Sequence, residues 1–131
     1  MSLMSKRLLQ IAVAIAGLVP VLAGLAGAAD PALLNLAADA PAATHAAYLS
    51  GLLLGVGLGF WSLIPRIERE GRVFMLLTGI VMLGGLARLV LAVRLGTWTP
   101  WVIAPLAMEL LVTPALCLWQ RRLASSLSAP E

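Results

Sequence analysis

The chain has 131 residues, of which 61% are hydrophobic and only 11% charged, and its mean hydropathy is +0.99. Soluble domains carry about 25% charged residues, so this composition excludes an ordinary soluble domain and indicates an integral membrane protein. The net charge is +3, but the cations lie in short clusters between apolar segments, which is not the continuous basic face that binds nucleic acid.

Four apolar segments are predicted to cross the membrane as helices of a single domain, residues 1–131. They cover residues 8–29, 45–65, 73–95 and 101–119, and each is close to the ~20 residues that a spanning helix requires. The first segment also fits a cleavable signal peptide, because it follows a basic start and ends in small residues. Its length favours a retained span. The predicted fold is an all-α, integral membrane four-helix bundle.

The connection between the first two spans, residues 30–44, is predicted to be a short periplasmic connector. Asp30 and Pro31 form a typical helix start, with an aspartate cap and a proline at the first position. We therefore expect a short helical turn after Asp30, followed by a loop. The other two connections are a charged turn at residues 66–72 and a turn at residues 96–100.

The distribution of basic residues predicts that both termini are cytoplasmic. In a four-span chain one side receives most of the lysines and arginines: Lys6, Arg7, Arg66, Arg69, Arg72, Arg121 and Arg122. Only Arg94 lies near the opposite side. Because cytoplasmic loops carry the excess of Lys and Arg, the chain is expected to be N-in and C-in.

Glycines four residues apart on the second span predict a helix-packing face. Gly51, Gly55 and Gly59 share one side of that helix, and small residues at this spacing allow helix backbones to approach closely in lipid. On the third span, Gly84 and Gly85 are predicted to leave room for a close partner beside Arg88.

The most unusual residues are two opposite charges within apolar spans, Arg88 on the third and Glu109 on the fourth. At 1.5 Å rise per residue, each is predicted to lie roughly 12 Å below the same membrane boundary. Antiparallel neighbours would therefore place them at one depth, where the arginine could grip both carboxylate oxygens. Two interpretations of this buried pair remain open: it fixes helix register, or it forms the polar end of an outward-facing ligand pocket.

His45 and Tyr48 begin the second span on the face that carries the glycines. Tyr48 is predicted to lie roughly 5 Å inside the boundary, where an outward-stretching arginine could reach its hydroxyl. Both residues are therefore candidate members of the polar site.

Several short elements resemble a known family. They are Lys6-Arg7-Leu8-Leu9-Gln10, Tyr48 three residues before Gly51, Gly84-Gly85-Leu86-Ala87-Arg88-Leu89, and Glu109 followed by Pro114 and Cys117-Leu118-Trp119-Gln120. This set resembles the small bacterial inner-membrane proteins grouped as domain of unknown function 4345. The resemblance covers nearly the whole chain. It implies a four-helix domain in the bacterial inner membrane and supplies no activity.

The sequence favours a non-catalytic membrane protein, either an accessory or assembly subunit of a larger complex or a homo-oligomer. One histidine and one cysteine, Cys117, leave no catalytic constellation and no metal or cofactor site. The alternative is a binder of a membrane lipid or small amphiphile, with Arg88 and Glu109 at its polar end. A small proton-coupled transporter is disfavoured, because an arginine partner stabilises the ionised form of a carboxylate.

Overall fold

A computed structural model describes residues 2–36 and 38–129, and the regular structure within these ranges is entirely helical. Four helical segments are long and apolar enough to cross a membrane: Leu3–Ala29, Ala40–Arg66, Gly71–Leu95 and Pro100–Ser128. The predicted all-helical chain with four candidate spans is confirmed. Four such apolar helices suggest a multi-pass membrane protein.

Most of the helices are longer than the spans that the sequence predicted. They are α1, Ser2–Ala29; α2, Ala40–Leu63; α3, Gly71–Leu95; α4, Pro100–Ala107; and α5, Thr113–Ser128. Short 3₁₀ turns occur at Pro31–Leu34 and Ile64–Arg66, and a π-helical segment, Met108–Val112, joins α4 to α5 without a break. The last helical stretch therefore continues well past its predicted end at Trp119.

Local sequence chemistry sets two of the helix boundaries. The Asp30 side chain accepts a hydrogen bond of 3.0 Å from the backbone N–H of Ala32, and Pro31 occupies the first position of the following turn, as predicted. At the end of α3, Gly96 adopts a left-handed conformation with a φ of 63°. Because glycine has no Cβ atom to clash in this conformation, it is the usual residue just beyond a helix C-terminus.

The chain divides into two compact units. In the first, residues 13–62, the second part of α1 packs against α2 through glycines on α1. A Cβ atom at Gly24 would lie 2.5 Å from the backbone nitrogen of Leu54 and 2.8 Å from the carbonyl oxygen of Ser50. Gly17 lies against the ring of Trp61, whose Nε1 donates a hydrogen bond of 3.2 Å to the carbonyl of Ala14.

The second unit contains residues 63–131 with the first twelve residues, as far as they are described. In this unit α3 packs along α4, the π segment and α5. Phe74, Ile67 and Leu9 are fully buried at its core. The single cysteine, Cys117, is also buried.

One end of this second unit collects the start of α1, the connection 64–70 and the C-terminal half of α5; we call it the cationic end. The Nζ atom of Lys6 lies 2.9 Å from Oε2 of Glu68. This contact lowers the pKa of the Glu68 carboxyl, because the adjacent ammonium stabilises the carboxylate. Trp119 Nε1 donates to Ser5 Oγ at 3.2 Å. These bonds bring basic clusters from three parts of the sequence together.

Two of the glycines that the sequence predicted as packing residues do not pack within the chain. Gly51 and Gly55 are exposed, and apart from their own helix no described atom lies within 4 Å of a Cβ placed at either position. On α2 the close contact within the chain is instead made by Gly57, against Val21. The side of α2 that meets α1 carries Ser50, Leu54 and Gly57, whereas Gly51 and Gly55 lie on another side of the helix.

A pair of glycine substitutions tests this assignment. Gly24→Ala should destabilise the protein by about 1–3 kcal/mol, because the added methyl group meets backbone atoms that cannot move aside. Gly55→Ala, made on an open helix surface, should be neutral or should stabilise the helix by up to about 1 kcal/mol. Thermal loss of helical circular dichroism in detergent measures both effects. Equal destabilisation by the two changes would contradict the assignment.

Candidate functional site

The Arg88 side chain on α3 and the Glu109 side chain on the π segment form a two-point ion pair. Nε of Arg88 donates to Oε2 of Glu109 at 3.1 Å, and Nη2 donates to Oε1 at 3.0 Å. Such fork-like pairing fixes the relative geometry of the two side chains better than a single contact does. Counting residues along the spans predicted that Arg88 and Glu109 lie at one depth, and in the structure they are in direct contact.

The local structure of α3 makes room for this contact. Gly85, one turn before Arg88, is buried, and a Cβ atom there would lie only 2.8 Å from Cβ of Glu109 and 2.9 Å from Leu110. Gly84 differs, because it is exposed and, apart from its own helix, no described atom lies within 4 Å of its Cβ position. Of the two predicted glycines, Gly85 is the one that admits the neighbouring helix within this chain.

The π-helical segment that carries Glu109 was missed by sequence reasoning. Its backbone hydrogen bond runs from the N–H of Thr113 to the carbonyl of Met108, and the Thr113 hydroxyl also donates to that carbonyl at 2.8 Å. Pro114 has no N–H to offer to Leu110, four residues earlier, so the regular α-helical pattern cannot continue there. Single π turns within α-helices frequently occur at functional sites.

The pair is less buried than the sequence predicted. The Arg88 side chain is 43% exposed and the Glu109 side chain 18% exposed. Surrounding positions on α3 are large, apolar and also exposed, such as Leu83 and Leu91. The pair thus lies at the surface of its unit, with the guanidinium more exposed than the carboxylate.

The two other predicted site residues, His45 and Tyr48, lie on α2 in the first unit. Both side chains are exposed. Their participation in a polar site with Arg88 and Glu109 stays a prediction.

Two further polar groups that sequence reasoning passed over lie within the second unit. Gln120 is fully buried, and its Nε2 donates to the carbonyl of Ile67 at 2.7 Å. Gln10 Nε2 donates to the carbonyl of Ile64, also at 2.7 Å. Gln10 interrupts an apolar segment, and that interruption was the available signal for it. Gln120 stands between the end of the fourth predicted span and Arg121, where the sequence offers no such signal. Each glutamine satisfies a carbonyl in the connection after α2.

A double-mutant cycle measures the energy of the ion pair. Arg88→Ala and Glu109→Ala should show a coupling free energy of about 0.5–3 kcal/mol, the range for residues in direct contact. Arg94→Ala is the matched control, since Arg94 lies on the same helix and forms no ion pair with a described residue. Its effect should add to that of Glu109→Ala within about 0.5 kcal/mol. Equal coupling for both arginines in denaturation experiments would refute a specific pair.

The comparison with known proteins agrees with the resemblance seen in the sequence. No curated protein and no solved structure gave a significant match. The family described as "Domain of unknown function (DUF4345)" matches residues 8–120, a range that includes Arg88, the π segment and Gln120. With this match over most of its length, the chain belongs to the DUF4345 family.

Proposed function

We propose that this chain is a non-catalytic, multi-pass protein of the bacterial inner membrane that works by assembling, either with itself or as an accessory subunit of a larger membrane complex. The observation that carries the proposal is the exposed Arg88–Glu109 pair on an apolar helical surface. A charged side chain facing hydrocarbon costs about 3 kcal/mol or more. Glu109 offsets part of this cost by accepting hydrogen bonds from Nε and Nη2 of Arg88, and a polar surface that covers the rest of the guanidinium lowers what remains.

The exposed glycines support a protein as the covering surface. Gly84 lies one turn from Arg88 on α3 and is open to a neighbour. Gly51 and Gly55 form an open small-residue pair on α2. Open glycines at this spacing are the usual contact sites between membrane helices, and here the contacts within the chain leave them free.

The non-catalytic part of the proposal is supported by the inventory of reactive groups. The chain has a single histidine and a single cysteine, and the cysteine is buried. Nucleophilic and acid–base catalysis need such groups in mutually activating pairs. The ion pair itself occupies both oxygens of Glu109, which suits a positioning role.

Assembly is tested by measuring particle mass after extraction from native membranes into polymer-bounded nanodiscs. Wild type should exceed the 13.7 kDa of one chain by the mass of further protein. Arg88→Ala should weaken association by roughly tenfold, as expected for the loss of about 1.4 kcal/mol, whereas Arg94→Ala should not. Native mass spectrometry reads both the protein content and the bound lipid.

The outcomes separate the two candidate functions. Wild-type particles that contain one chain and no other protein would overturn the assembly proposal. Loss of a bound phospholipid on Arg88→Ala, without change in protein content, would instead assign the pair to lipid binding. A second comparison, of Gly55→Leu with Gly79→Leu, leaves the ion pair intact. Both glycines are open, but only Gly55 belongs to the small-residue pair, so only Gly55→Leu should weaken assembly.

The proposed orientation places both termini in the cytoplasm. It rests on the basic residues near the start of α1, in residues 64–72 and at the end of α5. Alkaline phosphatase fused after Glu131 should be inactive, because its disulfides form only in the oxidising periplasm. The same enzyme fused after Trp98, between α3 and α4, should be active. Enzyme activity in intact cells reports the result, and the reverse pattern would disprove this orientation.

A further inference from the structure

A cavity of about 300 Å³ lies at the cationic end, between the start of α3 and the C-terminal half of α5. Its walls are formed by residues of these two helices: Gly71, Arg72, Met75, Gln120, Arg121, Ala124 and Ser125. Three features of this wall act together, namely two arginines, the N-terminus of a long helix and a buried amide. They belong to the second unit and lie far from the Arg88–Glu109 pair, since Arg72 precedes Arg88 by roughly 24 Å of helix.

The two arginines give the cavity its charge. Arg72 and Arg121 are exposed, and neither forms an ion pair with a described residue. The first N–H groups of α3, beginning at Gly71, add the positive end of a 25-residue helix. Free guanidinium groups beside a helix N-terminus are the arrangement that binds phosphate in proteins. Glu70, just before the helix, is the nearest acidic residue in sequence.

The buried amide is the independent sign of a ligand. Gln120 has no exposed surface, its Nε2 is engaged by the Ile67 carbonyl, and its Oε1 has no hydrogen-bond partner among the described residues. A buried acceptor without a donor costs about 1–3 kcal/mol. Gln120 lines the cavity, and its amide lies beside Gly71, where a Cβ atom would be 3.4 Å from both Oε1 and Nε2. A ligand that carries a hydrogen-bond donor would satisfy Oε1.

We propose that this cavity binds the head group of an anionic phospholipid, with its phosphate between Arg72 and Arg121 and a head-group hydroxyl donating to Gln120 Oε1. A lipid is favoured over a soluble phosphate because the cavity is lined by residues of two candidate membrane spans, Gly71–Leu95 and Pro100–Ser128. Acyl chains can lie along exposed apolar side chains of these spans, such as Met75 and Leu118. Basic pockets between membrane helices are known to select anionic head groups. This site is separate from the assembly surface and does not depend on it.

Native mass spectrometry of the detergent-purified chain tests the proposal with phosphatidylglycerol as the probe. Arg121→Gln and Arg72→Gln should each weaken binding by roughly tenfold, the loss expected for one charge-assisted contact. Arg122→Gln and Arg69→Gln are matched controls, since they remove the same charge from the same end but do not line the cavity. Because these controls remove only surface charge, they should change binding by less than about twofold.

Four results would each overturn the proposal or its Gln120 contact. Equal weakening by all four variants would show diffuse attraction to a basic surface. Binding of phosphatidylcholine as tightly as phosphatidylglycerol would exclude an anion site. Displacement of the lipid by inorganic phosphate would assign the cavity to a soluble anion. Phosphatidylmethanol keeps the phosphate charge and lacks head-group hydroxyls, so it should bind more weakly than phosphatidylglycerol; equal binding would refute the role of Gln120.

Discussion

The second unit depends on one requirement: an arginine and a glutamate within apolar helices must satisfy each other. Arg88 and Glu109 do so through two hydrogen bonds of 3.0–3.1 Å. That contact needs a close approach of α3 to its neighbour, which Gly85 permits. Glu109 itself lies on the π segment ahead of Pro114. Because an unpaired charge in lipid is costly, a local irregularity of the backbone beside the ion pair is tolerated.

Much of this arrangement could be predicted from the sequence, because it follows from lengths and periods. Four apolar segments of spanning length give four helices. Counting along an antiparallel hairpin with a fixed rise places Arg88 and Glu109 at the same depth, and the structure joins them. The cap at Asp30 follows from the hydrogen-bonding preference of a short carboxylate before proline. Each of these inferences needs only local or one-dimensional information.

Other features could not be predicted, because they depend on which face of each helix meets which neighbour. Gly17, Gly24 and Gly27 on α1 and Gly51, Gly55 and Gly59 on α2 are similar small-residue patterns. The structure buries the three on α1 and leaves Gly51 and Gly55 open. Nothing in the one-dimensional pattern distinguishes an inner stripe from an outer one. The exposure of Arg88 is a question of the same kind, since depth along a helix does not determine direction around it.

The bonds that close the cationic end have a consequence for the order in which the protein can form. They join residues separated by 54 positions in Gln10–Ile64, by 53 in Ile67–Gln120 and by 114 in Ser5–Trp119. During synthesis the carbonyl of Ile67 therefore emerges long before the amide that will satisfy it. Contacts between such distant residues form late because the intervening chain must first be ordered. The first helix can pack against α2 early, whereas the cationic end is completed only after α5 has been synthesised.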